Sequence, residues 1–162
     1  MSPPPASALP SSIDVEVEDT AWTDALPDAA ALVLAATEAT LNSEGATGEG
    51  VALLLTDDET VRELNGRFRH QDKPTNVLSF PAPQNPERFL GDVALAYGVC
   101  AREAAEQGKP LAHHLQHLVA HGVFHLLGYD HETDAQAEGM ESLERAVLAG
   151  LGIPDPYAAR LG

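Results

Sequence analysis

Four short segments carry the hydrophobic patterns of β-strands. Apolar and acidic residues alternate from Ile13 to Val17, which is the period-two pattern of a half-buried strand. Val51 to Leu55 is a continuous apolar run of the kind found in buried strands. Val77 to Phe80 precedes two prolines, and Gly91 to Tyr97 alternates again. Together these segments predict a small mixed sheet of about four strands.

Helical patterns lie between and after these strands. Asp24 and Pro27 predict the start of a helix rich in Ala and Leu that runs to about Leu41. The polar pair at 56–57 is expected to cap a short helix. Three more helices are predicted near the C-terminus, at 99–107, from 110 to 127 and at 134–148. Mixed elements followed by helices indicate an α+β fold.

The chain is expected to form one domain over residues 13–162, preceded by a disordered tail at 1–12 that is rich in Pro, Ser and Ala. The lone cysteine, Cys100, excludes an intrachain disulfide and a Cys-rich structural zinc site. No apolar run reaches the length of a membrane span, and the N-terminal residues lack the regions of a secretory signal. These features predict a cytoplasmic protein.

The charge of the chain is strongly negative but unevenly distributed. The net charge is −16, and residues 1–60 contain neither Lys nor Arg. This balance argues against a protein that binds nucleic acid with its whole surface. Arg62, Arg67, Arg69 and Lys73 then follow within a short stretch. They indicate either a local positive site on an acidic body or ordinary solvated helix charges.

The segment HGVFHLLGYDH, residues 121–131, has the spacing of a metal site. His121 and His125 are four residues apart, so a helix places both imidazoles on one face. Gly128 allows the chain to end the helix and turn sharply, which brings His131 back toward the first two histidines. Three imidazole ligands favour zinc over nickel, copper or iron. They also leave a fourth coordination position for water, as in catalytic rather than structural zinc sites.

Other polar residues surround this motif. His117 and His113 lie one and two turns before His121 on the same predicted helix. They are candidates for further metal ligands, for substrate contacts or for ordinary surface residues. Metal-bound histidines usually donate their second N–H to a carboxylate or carbonyl. Asp130 is one candidate acceptor, and a capping role after the turn is the alternative for this residue. Glu141 and Glu144 lie on the following predicted helix.

The spacing of the three histidines matches that of metzincin proteases, but the general base of those enzymes is missing. Their second motif position is a glutamate, and this chain has Gly122 there. Peptide hydrolysis is therefore disfavoured, and different chemistry on a similar ligand set is expected.

Three segments of this chain resemble the signature segments of the YbeY family of metal-dependent endoribonucleases. They are LNGRFRHQDKPTNVLSFP at 64–81, LGDVALA at 90–96 and the histidine motif at 121–131. In addition, the segment MESLERAVLAGLGIPDPY at 140–157 resembles the C-terminal region of the family. The resemblance implies a cytoplasmic enzyme with a small α+β fold that holds Zn²⁺ through His121, His125 and His131. It also implies single-stranded RNA as substrate, a role in rRNA maturation and ribosome quality control, and ribosomal or GTPase proteins as partners.

The resemblance further implies a role for Arg69, which matches an arginine that the family needs for activity. A guanidinium fits a phosphate in fork geometry, so it would stabilise charge that develops on the scissile phosphate. Lys73 is a candidate for a less specific phosphate contact. A salt bridge from Arg69 to a neighbour such as Asp72, and plain solvation of Lys73, are the alternatives. At the level of function, another metallohydrolase or a non-enzymatic ribosome-associated factor with a stabilising metal remain alternatives.

Overall fold

The computed structural model describes residues 12–46, 48–69 and 75–157, with the backbone alone for Arg69. Within them, the strands are β1 (Ile13–Val17), β2 (Gly50–Thr56), β3 (Val77–Pro81) and β4 (Phe89–Ala96). The helices are α1 (Ala21–Ala25), α2 (Ala29–Ser43), α3 (Asp58–Arg69), α4 (Tyr97–Gln107), α5 (Leu111–Leu126) and α6 (Asp134–Gly150). Lys73 and the predicted tail, apart from Ser12, lie outside the described residues.

The four strands form one mixed sheet in the order β1-β2-β4-β3. The first three strands of that order are parallel, and Val15, Leu53 and Val93 lie side by side across them. β3 is antiparallel to β4 and forms an edge of the sheet, with Ser79 opposite Val93. The predicted α+β class with a small mixed sheet is therefore confirmed.

The two faces of the sheet are covered differently. Alternate residues of the central strands, such as Leu53, Val93 and Leu95, pack with α2 and α5 into the main core. The opposite face packs on α3, where Val61 and Leu78 form a smaller cluster. Residues that alternate along a strand point to opposite faces, so each strand contributes to both layers. The open edge of β3 lies beside α5, and this is where the histidine motif is found.

The helix boundaries differ from the sequence-based prediction mainly near Pro27. One helix was expected there, and the structure has two, with Leu26 in an extended conformation between them. A proline disfavours helical geometry in the preceding residue, which explains the break. Trp22 of α1 is fully buried and donates from Nε1 to the carbonyl of Thr56 at 3.0 Å. None of the helices in the described part of the chain has both the length and the apolar character needed to cross a membrane.

Candidate metal centre

The three motif histidines converge at the C-terminal end of α5. His121 and His125 lie one helical turn apart on α5, as their spacing predicts. Gly128 then adopts a φ of 103°, which glycine tolerates far better than other residues, and the chain turns back. This turn brings His131 to the same point, where one ring nitrogen from each of the three histidines lies within 4.8 Å of the others.

The hydrogen bonds of the first two histidines leave their Nε2 atoms available for a metal ion. Nδ1 of His121 lies 2.7 Å from a carboxylate oxygen of Glu144, and Nδ1 of His125 lies 2.9 Å from the carbonyl of Tyr129. Since these acceptors require N–H at Nδ1, each neutral ring presents a lone pair at Nε2.

The separation of these lone pairs fits a shared ion. The two Nε2 atoms are 3.1 Å apart. Lone pairs at that distance repel each other unless a cation or a proton lies between them. Two nitrogens at 2.0–2.1 Å from one tetrahedral zinc ion would be about 3.3 Å apart, close to the observed spacing. The donor set therefore fits a transition-metal ion of the zinc type.

Glu144 links the candidate centre to the rest of the protein. Its carboxylate is buried, with 1% of the side chain exposed, and accepts from Nδ1 of His121, Nε2 of His117 and the hydroxyl of Tyr157. Burial alone would raise the pKa of Glu144, but the hydrogen bonds from His117 and His121 outweigh it and lower that pKa to about 2. Glu144 is therefore an anion that orients His121, in the manner of the carboxylate–histidine–metal arrangement.

His125 is held as a neutral ring by its surroundings. Desolvation by burial lowers its pKa, and the adjacent His121 lowers it further. A neutral imidazole is the form that binds a metal, because an imidazolium has no free lone pair. The lowered pKa of His125 therefore favours the form of the ring that binds a metal.

Gly122 explains why α5 lies so close to the sheet. A Cβ atom at this position would lie 2.9 Å from Cγ1 of Val93 and 3.2 Å from Oγ of Ser79. Oγ of Ser79 also donates to the carbonyl of Gly122 at 3.0 Å, which fixes α5 against β3. A glutamate at this position would have no space, so the absence of the protease base has a steric cause in this fold.

A cleft of about 670 Å³ runs between the histidines and the edge of β3. Its lining includes Asn65, Thr75 and Ser79. Ser79 is occupied in binding α5, whereas Asn65 is buried in the cleft wall. The shape allows an extended substrate to pass the histidines from the solvent side.

The remaining sequence candidates are placed as follows. Arg69 is the last residue of α3, and the structure describes only its backbone. Asp130 accepts from the backbone N–H of His131 at 2.8 Å, which is a local turn contact. His117 is joined to Glu144 and Tyr157 rather than to the three converging nitrogens. His113 takes no part in this cluster of described residues.

Sequence reasoning missed two parts of this region. It named both Glu141 and Glu144 and did not choose between them. The four-residue spacing of His117 and His121 was a signal that both rings could share one acceptor. Sequence reasoning also missed a second, half-buried group, in which Oε1 of Glu103 accepts from Nε2 of His114 at 2.9 Å and from Nδ2 of Asn76 at 3.0 Å. These residues come from α5, α4 and the start of β3, so no local pattern joins them.

The chain is similar to known proteins over most of its length. The family model described as Endoribonuclease YbeY matches residues 13–152. A curated relative named Endoribonuclease YbeY from Rhodopseudomonas palustris (strain BisB5) is 52% identical, over 96% of this chain and 86% of the relative. Another of that name from Azorhizobium caulinodans is 53% identical, over 90% and 96%. A solution structure from Thermotoga maritima superposes with a TM-score of 0.56 at 26% identity, covering 86% of this chain and 91% of that one.

Proposed function

The chain belongs to the Endoribonuclease YbeY family, and on this premise we propose that it is a metal-dependent endoribonuclease. Its substrate is single-stranded RNA, and its role is ribosomal RNA maturation and ribosome quality control in the cytoplasm. The convergence of three histidine nitrogens within 4.8 Å, beside a cleft open to solvent, is the observation that carries this proposal. Three ligands leave an open coordination position, which is the arrangement of a catalytic metal site.

Zinc is the proposed ion, and His121, His125 and His131 are its ligands. When bound, such an ion supplies a Lewis acid that polarises a phosphoryl oxygen and lowers the pKa of water to about 7. The hydrogen bond to Glu144 holds the ring of His121 in one tautomer and one orientation. The bond from His125 to the carbonyl of Tyr129 does the same for the second ring.

Charge on the scissile phosphate needs a cationic partner, and we assign this role to Arg69. A guanidinium stays charged and binds phosphate in a fork, so it stabilises the charge that grows in the transition state. Lys73 would add a less specific phosphate contact. Replacing Arg69 by Ala should lower the cleavage rate about 100-fold or more. The matched control is Arg67→Ala, since Arg67 is an exposed arginine on the last turn of the same helix.

The proposal is tested by incubating the purified protein with a long single-stranded RNA, with and without a chelator, alongside His125→Ala. The control is His113→Ala, a histidine on α5 outside the converging group. Cleavage that is lost with chelator and in His125→Ala, but retained in His113→Ala, supports the proposal. Cleavage that survives both treatments overturns it. A folded, metal-loaded protein without turnover on any RNA identifies a ribosome-associated factor instead.

Two further measurements complete the test. Elemental analysis of the purified protein identifies the bound ion, and one zinc per chain is expected. The ends of the RNA products identify the nucleophile. A 2′,3′-cyclic phosphate shows attack by the neighbouring 2′-hydroxyl, whereas its absence together with a 5′-phosphate shows attack by water.

A further inference from the structure

A second cavity, of about 620 Å³, adjoins the candidate metal centre and shares Asn76, Val77 and His121 with the cleft described above. Its volume falls in the range of about 300–1,000 Å³ that is typical of small-molecule pockets. Its wall includes His121 itself, together with Asn76, Glu103, Leu118 and Tyr157. A phosphate at the three histidines would therefore place a neighbouring nucleoside at the mouth of this cavity.

Glu103 is held in this cavity with one oxygen fixed and the other available. Oε1 accepts from Nδ2 of Asn76 and from Nε2 of His114, while Oε2 accepts no hydrogen bond from the described residues. Asn76 is itself fixed, because its Oδ1 accepts from the backbone N–H of Val77 at 2.6 Å. His114 is 5% exposed. The side chain of Glu103 is 31% exposed, so a preoriented acceptor faces the cavity.

The two carboxylates that line the cavity disfavour a phosphate as its occupant. Glu103 and Glu106 both line it, and Lys109, also in the lining, donates from Nζ to the carbonyl of Pro156 at 2.8 Å. Two carboxylates repel an anion. The rest of the wall is of mixed polarity and includes Asn76, Leu118, Tyr157 and the imidazoles of His114, His117 and His121. A flat, neutral heterocycle with hydrogen-bond donors suits such a lining, since bases form hydrogen bonds along their edges.

We propose that this cavity is a nucleobase subsite, in which Glu103 selects the base next to the scissile phosphate. The inference rests on the proposed RNA cleavage and adds a sequence preference to it. Guanine presents adjacent donors at N1 and N2, and the two lone pairs of Oε2 can accept from both. Adenine and cytosine present a single amino group, and uracil flanks its one N–H with two carbonyl oxygens that a carboxylate repels. Guanine is therefore bound best and uracil worst.

The test uses a library of random single-stranded RNA, cleaved by the metal-loaded enzyme, with the product ends sequenced. Guanine should be enriched over uracil about 10-fold or more at one position flanking the cut. Glu103→Gln keeps the shape but presents an amide N–H₂ to the cavity, so the guanine preference should disappear and uracil should be accepted. Glu138→Gln, which removes one exposed carboxylate on α6, is the matched control and should keep the preference.

The outcomes separate this inference from the proposed function. Equal base frequencies in the wild type, or an unchanged preference in Glu103→Gln, overturn the subsite while leaving RNA cleavage intact. If no RNA is cleaved, the proposed function fails, and the subsite is still tested by binding. Guanosine added to the metal-free wild-type protein should shift the NMR signals of the Asn76 amide and the Tyr157 ring at concentrations where uridine does not. No shift with guanosine overturns the inference.

Discussion

Oε2 of Glu144 lies 2.7 Å from Nδ1 of His121, so a buried carboxylate of α6 orients the first histidine of the motif on α5. The other oxygen of the same carboxylate binds His117 and Tyr157. One residue thus connects the candidate metal centre to α6 and to the segment that follows it. Several of the expectations below depend on this connection.

Metal affinity should depend on the charge of Glu144. Glu144→Gln retains a hydrogen-bond acceptor but removes the negative charge that makes the His121 ring more basic. We expect metal binding to weaken by roughly 10- to 100-fold. Competition with a chromogenic chelator measures this change, and Glu138→Gln on the exposed side of α6 serves as the control. Equal affinity in Glu144→Gln and wild type would show that Glu144 has no effect on the ion.

The stability of the protein in acid should also depend on Glu144. The pKa of Glu144 is lowered to about 2 in the folded protein, so the unfolded chain binds this proton more readily. The stability it contributes is present above pH 4.5 and is lost as the pH falls toward about 2. In metal-free protein the loss should be on the order of 3 kcal/mol.

Urea unfolding at several pH values between 6 and 3 measures this effect. The free energy of unfolding of Glu144→Gln should fall less steeply below pH 4.5 than that of the wild type. Parallel curves for the two proteins would contradict the low pKa of Glu144.

Much of the candidate site could be predicted from the sequence because it is local. His121, His125 and His131 lie within eleven residues, and helix periodicity with one glycine turn brings them together. Glu144 belongs to another helix, 23 residues beyond His121, and the choice between it and Glu141 depends on how α6 docks. No local spacing carries that information.

For the strands, too, the local sequence predicts each element but not the order of the elements in the sheet. Alternation or a short apolar run identified all four, because each pattern depends only on which residues of a segment are buried. Their order is a property of the assembled sheet, in which β4 lies between β2 and β3. The pairing of Leu53 with Val93 joins segments that are far apart in the chain. Likewise, Glu103 and His114 meet only because α4 packs on α5.

Close packing at Gly122 should make even a methyl group costly. Gly122→Ala places a Cβ 2.9 Å from Val93 Cγ1, and overpacking of this kind costs about 1–3 kcal/mol, more than the helix propensity gained. Gly139→Ala in α6 is the matched control, because no atom lies within 4 Å of its added Cβ. It should stabilise the protein by up to about 1 kcal/mol. Chemical denaturation measures both, and equal effects would refute the packing argument.

The start of α6 should depend on Thr133. Its side chain accepts from the backbone N–H of Gln136 at 3.1 Å, and the side chain of Gln136 accepts from the backbone N–H of Thr133. Thr133→Ala removes this cap and should cost about 1 kcal/mol in the free energy of unfolding. Thr23→Ala is the comparison, since the hydroxyl of Thr23 makes an exposed hydrogen bond to the carbonyl of Thr20. It should change stability by less than about 0.5 kcal/mol. A similar small change in Thr133→Ala would show that the cap contributes little.

The contact between His121 and Glu144 has a consequence for biosynthesis. A ribosome makes the three histidines first and the carboxylate 23 residues after His121, so for a time the growing chain has the ligands without their acceptor. During that interval nothing from α6 selects the tautomer of His121 or contributes negative charge to it. If the proposed ion binds here, its tightest binding is expected only after the last helix has been translated and docked, and a chain truncated before α6 is expected to bind metal weakly.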